Sequence, residues 1–151
     1  MSGMHGLSTN DLADLLDPRA EVQPHVAAQL AQAYRIWFLS DGSVGMPRGL
    51  GLPGTPQQIR RVLRDWHLRH AAAPIDGDAW ARSLALSERL RAFMGHEWHC
   101  WQGLDAPPAW ADEVDRRLWY AARAARGRLP KSPQSLYRVL GGTPQIPATV
   151  E

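Results

Sequence analysis

Valine, isoleucine and threonine account for 15 of the 151 residues, and nowhere do they alternate with polar residues over the length of a strand. Strands draw on β-branched and aromatic side chains set on alternating faces. A chain without such runs has little from which to build the inner face of a sheet. Ala and Leu recur at helical spacing instead, so the sequence predicts an all-α fold. The expected form is a single compact domain of five or six helices over 1–142, with a Gly/Pro-rich loop at about 40–54 and a frayed tail over 143–151. A hydrophobic fraction of 44% and seven Trp supply enough apolar area for one core of this size.

Start and stop signals divide the chain. Ser8 and Asp11 have the spacing of a capping box, with Leu12, Leu15 and Leu16 following and Pro18 as a stop. Over 24–39, Val26, Leu30, Ala33 and Trp37 mark a core face. Thr55, Pro56 and Gln58 open a helix whose buried stripe is read as Ile59, Val62, Leu63 and Trp66, with Arg60, Arg61, Arg64 and His67 largely on the other side. Asp76 or Asp78 starts the next, with Leu86, Leu90 and Phe93 inward and Gly95 as its stop. The segment 96–104 reads as a short helix or an ordered loop. A helix is expected over 107–126, ended by Gly127, and a last short one runs from Pro133 to Leu140.

Charge is segregated. Arg48, Arg60, Arg61, Arg64 and Arg69 form one basic band; Arg116, Arg117, Arg123, Arg126, Arg128, Lys131 and Arg138 form another, with no acid between 116 and 138. The segments 1–45 and 77–115 are acidic, so a net charge of +2 conceals a local positive field able to attract phosphate. Arg116, Tyr120 and Arg123 fall at i, i+4 and i+7 and share a helical face, while Val114, Leu118, Ala121 and Ala125 lie towards another. Arg offers a forked donor array to phosphate oxygens, and Tyr a stacking surface. The helices either side of 127–132 suggest a helix–turn–helix-like element, although that connection exceeds the usual three or four residues.

Other constellations are less specific. Gly49 to Gly54 matches G-x-G-x-x-G, but no strand precedes it and no βαβ unit follows, so a loop is expected and no cofactor. His96, His99 and Cys100 are candidate zinc ligands beside Glu97, at a spacing that matches neither H-E-x-x-H nor a Cys-pair ribbon. Trp119, beside the basic face, is the Trp most suspected of contacting a partner. A single Cys suits a reducing cytoplasm, no signal peptide is visible, and no run reaches the roughly 20 apolar residues of a membrane span.

The sequence therefore points to a non-enzymatic, bacterial-type cytoplasmic protein that contacts DNA or RNA backbone phosphates. Arg116, Arg117, Tyr120, Arg123, Arg126, Arg128, Lys131 and Arg138 carry that reading, supported by Arg60, Arg61 and Arg64. The alternatives are an interaction module for a protein partner or homo-oligomer, and a small metal-dependent enzyme at His96–Cys100.

Overall fold

The computed structural model describes residues 6–17, 19–52 and 54–141, and among them it contains eight helices and no strand. These are α1 (Thr9–Leu15), α2 (Pro24–Leu39), α3 (Met46–Gly49), α4 (Pro56–Ala72), α5 (Ala79–Gly95), α6 (Glu97–Trp101), α7 (Glu113–Ala124) and α8 (Pro133–Gly141). The all-α class holds. The number exceeds five or six because single turns form at α3, inside the Gly/Pro-rich loop, and at α6, in the aromatic segment after Gly95. The tail over 143–151, for which the sequence predicts fraying, lies outside the described residues. No helix among those described is long and apolar enough to cross a membrane.

The chain divides into two compact units, Met1–Val62 and Leu63–Glu151. The boundary falls inside α4, a continuous helix, so no shift in composition marks it. In the first unit the Ser8–Asp11 capping box forms in both directions and starts α1. Leu7, Val26, Ala33 and Leu50 make the core, edged by Leu15, Leu30, Met46 and Leu52. Two glycines of the G-x-G-x-x-G match, Gly49 and Gly51, have a packing cause here. A Cβ on Gly49 would stand 3.2 Å from that of Ala33 on α2, and one on Gly51, whose φ is +71°, would stand 2.9 Å from Gly6 Cα. Only glycine allows the loop to approach so closely. Trp37, read from sequence as core, is instead 40% exposed beside Tyr34, Phe38 and Leu39. Val26 and Ala33 occupy the face against the core, and the C-terminal turn of α2 runs past it.

In the second unit α5 is the spine. Leu86, Leu90 and Phe93 are fully buried as their spacing requires, and α8 packs along it through Leu136 and Val139. Burying each such side chain is worth about 1.5–3 kcal/mol. Ser87 on α5 donates its hydroxyl to the carbonyl of Lys131 at 2.6 Å, tying the start of α8 to the spine. Helix α7 adds Val114, Leu118, Ala121 and Ala122 to the core. It starts at Glu113 rather than at 107: Pro107 and Pro108 lead into a turn closed by Ala111 N–H on the Pro108 carbonyl, and Asp112 is the cap, accepting from the Asp115 amide at 2.8 Å.

Candidate nucleic-acid interface

The cations between 116 and 138 fall into two groups according to what their side chains touch. Arg116, Arg117 and Arg123, on α7, are committed within the fold. Arg116 donates to the Ala109 carbonyl at 2.8 Å, and its Nε is buried without a partner among the described residues. Arg123 donates to the Asp105 carbonyl at 2.9 Å while its guanidinium lies 5.2 Å from the Trp119 ring centre. Arg117 pairs with Glu113 at 3.0 Å, one helical turn away, and covers the Trp66 ring at 5.5 Å. These three arginines hold the loop 105–112 and α4 against α7.

Tyr120 also faces inward, between Trp119 and His67. His67 was expected on the polar side of α4 but is only 8% exposed, because α7 supplies a ring to receive it. Its Nδ1 has no partner among the described residues, and its pKa is pushed down to about 4, by burial first and then by the charges of Arg117 and His70. Trp119 has no exposed surface and donates its indole N–H to the Trp101 carbonyl at 3.0 Å. It cannot touch a partner, contrary to the sequence reading; its place on the buried stripe with Leu118, Ala121 and Ala122 decides its role.

The other group is Arg126, Arg128, Lys131 and Arg138. All four are exposed, and their side chains make no hydrogen bond or ion pair with the described residues. They line the turn between α7 and α8 and the outer side of α8, where Gln134 and Arg138 are one turn apart and Leu136 and Val139 face the core. The turn is built by the end of α7. Gly127 N–H donates to the Ala122 carbonyl at 2.8 Å and Arg126 N–H to that of Arg123 at 3.2 Å, the paired bonds of a Schellman motif. That motif puts Arg126 at φ +54°, a left-handed conformation that costs an ordinary side chain about 1–2 kcal/mol. Gly127, at φ +80°, packs against Trp98, whose indole nitrogen would lie 3.4 Å from a Cβ there.

The acids nearest in sequence are neutralised and distant. Arg89 bonds both Asp112 and Asp115, at 2.9 and 3.1 Å. The Asp115 amide is the main influence holding the Asp112 carboxyl below the usual carboxylate range; partial burial opposes it, and the Arg89 guanidinium adds to it. These groups sit at the start of α7, roughly 14–18 Å from its last residue, Ala124, at the helical rise of about 1.5 Å per residue. Salt at physiological strength screens charge within about 8 Å.

The remaining candidates do not join this group. Arg64 pairs with Asp65 at 2.7 Å, while Arg60 and Arg61 precede the unit boundary. Eight residues separate α7 from α8, and α8 takes its packing from α5, so the pair lacks the tight turn of a helix–turn–helix. Among the described residues no three His, Cys, Asp or Glu side chains gather as metal ligands; His96, with Glu97 at 3.7 Å, His99 and Cys100 stand on a single exposed turn. Comparison with family models, curated proteins and solved structures finds no match for this chain.

Proposed function

We propose that the Leu63–Glu151 unit binds nucleic acid through its backbone phosphates, using Arg126, Arg128, Lys131 and Arg138. One observation carries this reading: four exposed cations lie within thirteen residues, none answered by an acid among the described residues, while Arg116, Arg117 and Arg123 just before them are engaged. The left-handed backbone at Arg126 adds weight. A glycine would sit there without strain, and strained side chains persist chiefly where they serve a function. Arg116, Arg117 and Arg123 shape the surface in this account rather than contacting the ligand. The decisive comparison is binding of labelled DNA and RNA by the wild-type chain and by Arg126→Gln/Arg128→Gln/Lys131→Gln/Arg138→Gln. Loss of binding with unchanged helical circular dichroism supports the reading, and wild-type affinity in the variant rejects it.

A second reading applies to the first unit. Tyr34, Phe38 and Leu39 expose 56%, 66% and 80% of their surface at the end of α2, an apolar cluster of the kind that meets a protein partner or a second copy of the chain. Sedimentation of the wild type and of Phe38→Ser/Leu39→Ser distinguishes self-association from a monomer.

A further inference from the structure

Trp110 is 79% exposed, the most open of the large aromatic side chains described. Its ring stands nearly perpendicular to that of Trp101, at 82° with centroids 5.5 Å apart, so one side is supported while the rest faces solvent. The loop that carries it is fixed rather than loose. Pro107 and Pro108 restrict its backbone, Ala111 N–H closes a turn on Pro108, and Arg116 and Arg123 clamp the carbonyls of Ala109 and Asp105. Two charged donors spent on main-chain carbonyls five residues or fewer from an exposed indole are an arrangement that holds the indole in position. Trp101 beneath it is held in turn by Trp119, through the hydrogen bond to its carbonyl.

The basic turn rests on the same short helix. Trp98 on α6 abuts Gly127, between Arg126 and Arg128, and Trp101, three residues on, abuts Trp110. Three residues of helix advance about 4.5 Å. An exposed, rigidly held aromatic and a run of free cations are thus based on neighbouring positions of one helix.

From this arrangement we infer that the ligand of the basic turn is single-stranded nucleic acid, with one base stacked on Trp110 while neighbouring phosphates meet Arg126 and Arg128. The inference rests on the phosphate-binding reading above. A paired, stacked duplex base has no free face for the indole, whereas an unpaired strand presents one at every nucleotide. Stacking of this kind is tolerant of sequence, since each base has a π-face.

The test uses the full chain and three labelled probes of equal length: oligothymidylate, the same strand with abasic sugars throughout, and a duplex. The wild type is expected to bind oligothymidylate at least about five-fold more tightly than the abasic strand, the lower end of what one base–aromatic stack contributes. Trp110→Ala should bring the two single strands to equal affinity, and Trp110→Phe should keep part of the preference. Since the side chain is so exposed, circular dichroism should show both variants folded. Equal wild-type affinity for the base-bearing and abasic strands, an unchanged preference in Trp110→Ala, or tighter binding of the duplex would each overturn the stacking inference while leaving the phosphate reading intact. Absence of binding to all three probes at low salt would remove both.

Discussion

The imidazole of His67 lies stacked on the phenol ring of Tyr120, centroids 5.3 Å apart and 19° from parallel, joining α4 to α7. With a pKa near 4, this ring is neutral in the folded protein, whereas in the unfolded chain it takes a proton near pH 6.5. The unfolded state therefore binds more protons between those values, and stability must fall as the pH drops through the window. The loss approaches roughly 3 kcal/mol at its lower end. Urea midpoints measured from pH 7 to pH 4 should decline more steeply for the wild type than for His67→Phe, which keeps a ring and cannot be protonated. Parallel curves would mean that His67 is not held neutral.

Arg126 occupies a position suited to glycine. Replacing it, as Arg126→Gly, should raise stability by about 1 kcal/mol, the relieved strain exceeding the added freedom of the unfolded chain. The same change should weaken nucleic-acid binding. Denaturant titration and a binding curve on one preparation measure both; a less stable variant would show that the guanidinium serves the fold instead.

Ser87 connects the spine to the basic turn. Ser87→Ala leaves the Lys131 carbonyl without its 2.6 Å donor and should cost about 1–3 kcal/mol. Hydrogen exchange should show the loss concentrated at the start of α8, around Leu136, whose amide bonds to Ser132. Uniform loosening of the whole unit would contradict this local role.

Much of the fold is legible in the sequence because local chemistry sets it. The Ser8–Asp11 and Thr55–Gln58 boxes, the Asp78 cap and the Leu86–Leu90–Phe93 stripe all take the form their spacing predicts. What could not be read depends on partners distant in the chain. Arg116, Tyr120 and Arg123 do sit together on α7, but periodicity cannot reveal that carbonyls at 105 and 109 and a ring at 67 occupy that face. Trp119 departs from its sequence reading for the same reason: its neighbours in sequence are basic, while its neighbours in space are Trp101 and Tyr120. The exposure of Trp110 left no sequence signal beyond Pro107–Pro108 and Asp112, which keep it out of a helix. The sequence marks Arg126, Arg128, Lys131 and Arg138 as basic, but what separates them from Arg116, Arg117 and Arg123 is contacts distant in the chain.

The salt dependence of binding counts the cations that meet phosphate. With four contacts to a single strand, the logarithm of the binding constant should fall with the logarithm of salt at a slope of about −3. Arg126→Gln/Arg128→Gln should bring that slope to about half. A slope near zero, or one unaltered in the double variant, would contradict the account.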